Sequence, residues 1–159
     1  MLYWETRFLR IDWDEELRCV CTAWKDAYAD GNEYRTALDK VLDLVVLKRA
    51  SRLLGDGRRM KVISESDQEW VESSWMPRSA QAGLRRSALL LPRSALAQLS
   101  VHSILARYTL YEGRSVEVVN AYFDDMAKAR EWLRKQPGGG AAEDPGPASA
   151  RRGAREPGR

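Results

Sequence analysis

The chain has 159 residues, of which 44% are hydrophobic and 31% are charged, and this length and balance predict one globular domain with a buried core. Acidic and basic residues are interspersed as far as residue 136, with a net charge of +3, which argues against the basic stripe of a nucleic-acid binder. No stretch approaches the roughly 18 apolar residues that span a bilayer, and the first ten residues lack the pattern of a secretory signal. We therefore expect a cytoplasmic protein with no nucleic-acid partner and no stable membrane insertion.

The cysteine and histidine content argues against metal and redox chemistry. Cys19 and Cys21 are two residues apart in a predicted strand, where they share one face and could hardly bridge each other. The expected state is two buried thiols in a reducing compartment. His102, the single histidine, has no Cys or His near it in sequence, so no metal and no cofactor is expected.

The first predicted elements are a hairpin and a helix. Residues 7–13 alternate between apolar and polar side chains, whereas residues 17–24 are apolar on both faces, which predicts a central strand covered on both sides. A helix follows from caps at residues 30–32 to about Lys48. Its predicted buried stripe consists of Tyr34, Leu38, Val41, Leu42 and Val45.

The middle of the chain predicts a strand, a bend and an interrupted helix. Residues 51–54 form the third strand, and the bend Gly-Asp-Gly-Arg-Arg follows at 55–59. Ser66 and Glu69 match a capping box, with the serine at the N-cap and the glutamate at N3. Pro77 is expected to break or kink this helix, and Gly83 to end its second piece.

The last elements continue the alternation of strands and helices. We predict a strand over 85–91, a helix over 94–107, a turn at Gly113, a strand over 116–123 and a final helix capped by Asp124. The apolar face of the first of these helices is predicted to contain Leu96, Leu99, Ile104 and Leu105.

This order of elements predicts the fold class and the domain boundaries. Strands that alternate with helices are typical of an α/β protein, with a mixed, largely parallel sheet of about five strands, flanking helices and an opening β-hairpin. The domain is expected to cover residues 1–136. Residues 137–159 are rich in Pro, Gly, Ala and Arg and have too few apolar residues to fold, which predicts a disordered tail.

Short motifs follow the predicted elements in a fixed order over about residues 1 to 136. They are Ala23-Trp24, Tyr34-Arg35-x-Ala37-Leu38, Leu54-x-Asp56-x-Arg58-x-Met60, Asp67-Gln68-x-Trp70, Trp75-x-Pro77, Gly83, Tyr122-Phe123-Asp124-Asp125 and Ala129-x-x-Trp132-Leu133. This series resembles the small bacterial STAS/SEC14-like domains, whose fold is similar to the SpoIIAA anti-sigma-factor antagonists. The resemblance implies a SpoIIAA-like fold and a protein-binding regulatory module with no assigned enzymatic reaction.

The resemblance does not extend to the phosphorylation switch of STAS antagonists. Those domains are phosphorylated on a serine at the start of the helix that follows a strand, within an Asp-Ser-Ser/Thr/Ala-Gly-like motif. At the matching strand end this chain has the bend at 55–59, which contains no serine. Ser64 and Ser66 come later and lack the flanking pattern.

The bend at 55–59 is the first candidate site. Asp56, Arg58 and Arg59 follow a strand, at the sheet edge where α/β proteins bind ligands. Together with the free amides of a helix that begins at Ser66, they could hold an anion. The structural alternative is that Asp56 pairs with Arg58 or caps a turn, while the glycines supply positive φ.

Three tryptophans are the second candidate. Trp70, Trp75 and Trp132 form either an aromatic box or parts of the core and its lid. If Trp70 and Trp75 are exposed, they mark a surface for a partner or an apolar ligand. They are five residues apart, about 140° around an α-helix, so one of them can be buried while the other faces out.

The remaining titratable residues do not assemble a catalytic set. Asp124 and Asp125 directly precede a helix, so capping explains them better than general acid–base catalysis. His102 lies within a predicted helix and has no recognisable orienting partner. We therefore name no catalytic residue.

Three functions remain open from the sequence. The first is a non-enzymatic regulatory module that binds a protein partner or itself, and it predicts an exposed apolar patch and no pocket. The second is a small apolar-ligand (lipid-like) binding protein of SEC14-like type, which predicts a closed apolar pocket of several hundred cubic ångströms beneath the helices of Trp70 and Trp75. The third is an enzyme that uses Asp56 and Arg58, and it predicts a cleft where Asp56 meets another titratable group.

Overall fold

A computed structural model describes the backbone of residues 1–109 and 117–137, with side chains in the helix before residue 110 described as far as Ile104. This part of the chain contains six strands, five α-helices and one π-helical turn. In chain order they are β1 (Leu2–Glu5), β2 (Leu9–Asp14), β3 (Cys19–Trp24), α1 (Gly31–Lys48), β4 (Arg52–Asp56), α2 (Glu65–Trp70), the π turn (Val71–Trp75), α3 (Met76–Ala82), β5 (Arg86–Leu90), α4 (Ala95–Thr109), β6 (Val119–Phe123) and α5 (Met126–Arg134).

The strands form one mixed sheet whose spatial order follows the chain, from β1 at one edge to β6 at the other. The pairs β1–β2 and β2–β3 are antiparallel, and β3, β4, β5 and β6 run parallel. Helices connect the parallel strands, because a parallel pair needs a crossover rather than a tight turn. The predicted α/β class, the mixed sheet and the opening hairpin of β2 and β3 are confirmed.

The sheet has six strands rather than about five, because β1 was not predicted. This edge strand has four residues, and its register with β2 shifts between Leu2 and Trp4. Its side chains do not alternate between buried and exposed, so periodicity gives no signal for it. The amino group of Met1 donates a hydrogen bond to the carbonyl of Trp13 at 3.0 Å, which fastens the strand at its start.

Both faces of the sheet are covered. Helices α1, α3 and α4 and the π turn pack on one face, over a large apolar cluster that includes Ile11, Val20 and Leu53. Helix α5 covers the opposite face with Ala129 and Leu133. The prediction that β3 is covered on both sides is therefore confirmed.

The two cysteines lie on the face that α5 covers. Their Sγ atoms are 3.6 Å apart on one side of β3, and both thiols are free. Cys19 is buried as predicted, whereas Cys21 is only partly buried.

The segment from 65 to 82 is helical throughout, although Pro77 was expected to break or kink it. A π turn widens the backbone directly before the proline, with the Met76 N–H bonded to the Val71 carbonyl. This turn accommodates a ring that would otherwise meet the Ser73 carbonyl, and Pro77 lies in the first turn of α3. The segment ends as predicted at Gly83, whose φ of 112° suits glycine.

Two helix starts differ from the predictions. Helix α2 begins at Glu65, and its N-cap is Ser64 rather than Ser66, with the Asp67 N–H donating to Ser64 Oγ at 3.2 Å. Helix α5 is capped by Asp125 rather than Asp124, since Asp125 Oδ1 accepts from the Lys128 N–H at 2.9 Å. Capping, rather than acid–base chemistry, explains this aspartate.

The predicted apolar face of α4 is wrong in two positions. Leu96 and Leu99 are 66% and 64% exposed, while the smaller Ala97 and Ser100 are buried with Ile104. His102, on the same helix, is exposed. Two predictions lie outside the described residues: the turn at Gly113 and residues 138–159 of the tail. The side chain of Leu105 is also not among those described.

Candidate functional site

An apolar cavity of about 160 Å³ lies between the sheet and the helices of the larger cluster. The sheet contributes β3, β4, β5 and β6, and the helices contribute α1, α3, α4 and the π turn. The wall includes Thr22, Leu53, Gly55, Ser87, Asn120, Tyr34, Leu38, Val71, Trp75, Met76 and Ile104. No charged side chain lies on it among the described residues.

Glycines on and beyond β4 shape the cavity floor. A Cβ atom on Gly55 would lie 2.8 Å from Leu89 Cδ2 and 3.4 Å from Thr22 Oγ1. A Cβ atom on Gly57 would lie 2.8 Å from the Leu90 carbonyl oxygen, which already accepts the Gly57 N–H at 3.0 Å. Neither glycine has a positive φ, so the expectation that they supply one is wrong. They are required for close approach.

Asp56, from the bend at 55–59, forms an ion pair and does not line the cavity. Strand β4 ends at Asp56, and its Oδ2 lies 2.8 Å from Arg58 Nη2, while its Oδ1 accepts from Arg58 Nε at 3.0 Å. This hydrogen bonding by Arg58 holds the pKa of Asp56 below its ordinary value. The pairing of Asp56 with Arg58 is confirmed. The titratable group in contact with Asp56 is therefore Arg58, two residues later in the same bend. Arg59, the third residue of the predicted site, is exposed.

Ser66 belongs to a different contact from the one predicted. Its Oγ accepts a hydrogen bond from Arg35 Nη2 at 3.0 Å. In the described part of the chain, no hydrogen bond joins Ser66 to Asp56, Arg58 or Arg59. The anion site predicted from these four residues therefore stays a prediction.

Asp67 ties the start of α2 to the start of α1. It is fully buried, and it accepts hydrogen bonds from the Gly31 N–H and Arg35 Nε, both at 2.9 Å, and from Ser64 Oγ at 2.8 Å. Three donors and one opposite charge satisfy this buried carboxylate. The contact fixes the helices that cover the cavity.

The three tryptophans have separate environments and do not form an aromatic box. Trp70 is half-buried, with the guanidinium groups of Arg35 and Arg78 at 5.4 and 5.5 Å from its ring centre. Trp75 lines the cavity and donates its Nε1–H to the Leu38 carbonyl at 2.8 Å. Trp132 lies on the opposite face of the sheet, against Phe123. Trp70 and Trp75 are both half-buried, because the π turn between them alters the 140° of a regular helix.

The polar groups on the cavity wall were not predicted. Thr22, Tyr34 and Ser87 are 7%, 4% and 8% exposed, and Asn120 also lines the cavity. The side chains of these four residues make no hydrogen bond to any described residue. Burial raises the pKa of the Tyr34 phenol, and the charge of Asp67 adds to the effect. The sequence signal that could have indicated them is a polar residue at a strand position whose side chain faces the core, as at Thr22, Ser87 and Asn120.

Comparisons with known proteins do not assign a family. No family model, curated protein or solved structure matches the chain. The resemblance to STAS/SEC14-like domains therefore stays a prediction from short motifs. Within residues 1–109 and 117–137, no helix combines the length and the apolar character needed to cross a membrane.

Proposed function

We propose that the protein binds a small apolar ligand in the cavity beneath α1, α3 and α4. The observation that carries this proposal is a cavity of about 160 Å³ whose wall is mostly apolar and has no charged side chain among the described residues. An apolar cavity of about 150 Å³ holds a molecule the size of benzene. The volume is smaller than the several hundred cubic ångströms expected for a lipid-like ligand, so the proposed ligand is a compact molecule.

The surroundings of the cavity support binding without large rearrangement. Asp67 and Trp75 fasten α2 and the π turn to α1 through hydrogen bonds of 2.8–2.9 Å. A site that is held in place before binding loses little conformational entropy when the ligand enters. The driving force is the removal of apolar ligand surface from water.

Titration of the full chain with toluene tests this proposal. We expect a heat of binding that corresponds to a Kd below about 1 mM, or about −4 kcal/mol. Toluene should also raise the melting temperature, because a ligand that binds the folded state stabilises it. The Gly55→Ala variant should weaken binding at least ~fivefold, because its new methyl group pushes the Leu89 side chain into the cavity.

Ser73→Thr is the matched control, because it adds a methyl group to the exposed side of the π turn. It should bind toluene as the unmodified chain does. Absence of binding by the unmodified chain, or equal binding by the Gly55→Ala variant, would contradict the proposal.

A second candidate function is a non-enzymatic regulatory module that binds a protein partner or a second copy of the chain. The exposure of Leu96 and Leu99 on α4 favours it, because large exposed apolar side chains close together mark interaction surfaces. A cytoplasmic location is part of this proposal, and the free thiols of Cys19 and Cys21 support it.

Self-association through α4 is tested by sedimentation over a range of concentrations. Leu96→Glu combined with Leu99→Glu should shift the equilibrium at least ~tenfold toward the monomer, because charged side chains are excluded from an apolar contact. Val46→Glu combined with Leu47→Glu is the control on α1, where those side chains are 62% and 66% exposed. A monomer at all concentrations, or an equal effect of both pairs, would count against self-association through α4.

A further inference from the structure

We infer that the cavity takes an uncharged amphiphile of one ring or a short branched chain, whose polar group binds Ser87 and Asn120. This inference rests on the proposed ligand-binding function and adds the chemistry of the ligand. The polar end is assigned to the β5–β6 side of the cavity floor, and the apolar body to the space above Gly55.

The sheet register places Ser87 and Asn120 side by side. They are directly paired residues of the parallel strands β5 and β6. Leu53 is paired with Ser87 on the other side, so the three side chains form one row on the same face of the sheet. All three line the cavity, so the row changes from apolar to polar toward β6.

Neither polar side chain has a hydrogen-bond partner among the described residues. Ser87 is more than nine-tenths buried, yet neither its hydroxyl nor the Asn120 amide makes a hydrogen bond to another described residue. Most buried polar side chains in native proteins are hydrogen-bonded. A buried serine hydroxyl beside the partly buried amide of Asn120, with no bond from either to a described residue, is therefore suited to a polar atom of a ligand.

The pair offers both kinds of hydrogen bond. The Asn120 side chain has two N–H donors and a carbonyl acceptor, and the Ser87 hydroxyl can donate and accept. A phenol, an alcohol or a ketone can satisfy them. A carboxylate or an ammonium group is disfavoured, because no described wall residue carries a charge that would offset the loss of its hydration.

Two other wall hydroxyls that bond to no described residue lie at a different place on the wall. Thr22 belongs to β3, where it is paired with Gly55, and Tyr34 belongs to α1, with its ring stacked on Trp24. Thr22 is paired across the sheet with Ile11 and Gly55, neither of which has a side-chain amide. The two hydroxyls provide internal controls for the assignment of the polar end.

Phenol and toluene are the probes, because they have the same size and differ by a hydroxyl in place of a methyl group. Calorimetric titration of the full chain should give a measurable Kd for both. In the double variant Ser87→Ala and Asn120→Leu, we expect the Kd of phenol to rise about tenfold, since two hydrogen bonds are lost. The Kd of toluene should stay within about twofold.

Thr22→Val is the matched control, because it removes one wall hydroxyl at nearly constant volume. It should leave the ratio of the phenol and toluene affinities unchanged. The single variants Ser87→Ala and Asn120→Leu, each with its melting curve, provide the measurement if the double variant does not fold. Each should reduce the preference for phenol by about threefold.

The outcomes separate the inference from the function on which it rests. If toluene binds but the double variant weakens both probes equally, or weakens neither, water rather than a ligand satisfies the pair and the inference is overturned. If Thr22→Val lowers the preference for phenol as much as the double variant does, the polar end is wrongly placed. If neither probe binds the unmodified chain, the proposed function fails and the inference fails with it.

Discussion

The two faces of the sheet are packed in different ways. On the face covered by α5, small side chains such as Cys19 and Ala88 meet Ala129 and Leu133, and these four residues are fully buried. On the opposite face, the sheet also has a small residue, Gly55. The large side chains of the surrounding helices line the space above it and do not fill it. Small side chains on the sheet do not by themselves leave a cavity, because a helix with small side chains can pack closely against them. The cavity therefore results from a small residue on the sheet facing large side chains on the helices.

The largest expected effect comes from truncating one leucine on each face. Leu133→Ala should lower the free energy of unfolding by about 3–4 kcal/mol, because it leaves a new hole in a filled cluster. Leu53→Ala should lower it by about 2 kcal/mol, since a side chain beside existing space has fewer contacts to lose. Urea denaturation of the full chain measures both. Equal losses would mean that the two faces are packed alike.

A loss smaller than that of Leu133→Ala is expected when the contact that holds the cavity helices is weakened. Asp67→Asn should lower stability by about 2 kcal/mol, because it removes one charge of a pair whose carboxylate is buried. Arg35 is about one-third exposed, and water can therefore hydrate the charge that remains. Asp43→Asn, in an exposed pair with Lys40, is the control and should change stability by less than about 0.5 kcal/mol. Similar losses in the two variants would show that Asp67 contributes no more than a surface residue.

The pH dependence of stability tests whether Asp56, at the end of β4, forms its ion pair with Arg58 in solution. Arg58 holds the pKa of this carboxyl below its ordinary value, so its contribution to stability is present above the unfolded-state pKa of about 3.9 and is lost as the pH falls through the lower folded-state pKa. Arg58→Gln should raise the folded-state pKa and reduce stability near neutral pH by less than about 1 kcal/mol. Carbon-13 NMR titration of the carboxyl group measures this change. An unchanged pKa would indicate that the pair does not form in solution.

The last prediction concerns the rates at which two thiols on the α5 face react with a reagent in solution, and it involves no change in stability. The hydrogen bond with Cys21 and burial both raise the pKa of the Cys19 thiol, which lowers the fraction of reactive thiolate. Iodoacetamide should therefore modify Cys21 more than about tenfold faster than Cys19. Peptide mass spectrometry over time measures the two rates. Equal rates would show that α5 opens readily from the sheet.

Hydrophobic patterns predicted the parts of the fold that depend on neighbouring residues. Alternation in β2 and the apolar run of β3 were sufficient for the hairpin, and the stripe of α1 was sufficient for its buried face. The contact of Asp56 with Arg58 was also within reach, because the two residues are close in sequence. These features require no knowledge of distant segments.

The remaining features depend on contacts between distant segments. Two serine–acid patterns compete at the start of α2, and Ser64 is the N-cap because Gly31 and Arg35 also bind Asp67. Helix α4 has apolar residues on more than one side, and the side that packs is the one with the smaller Ala97. The row of Ser87 and Asn120 follows from the pairing of β5 with β6, which no local pattern encodes.

The π turn makes the structure of this segment depend on its number of residues. Removal of one residue between Val71 and Trp75 would restore a regular α-helix, and it would close the widened turn that now lies directly before Pro77. The Pro77 ring would then meet the carbonyl oxygen of the residue four positions before it. Substitutions at exposed positions such as Ser73 are therefore tolerable in a way that deletions are not, so related chains should vary in composition here but hold the residue count constant.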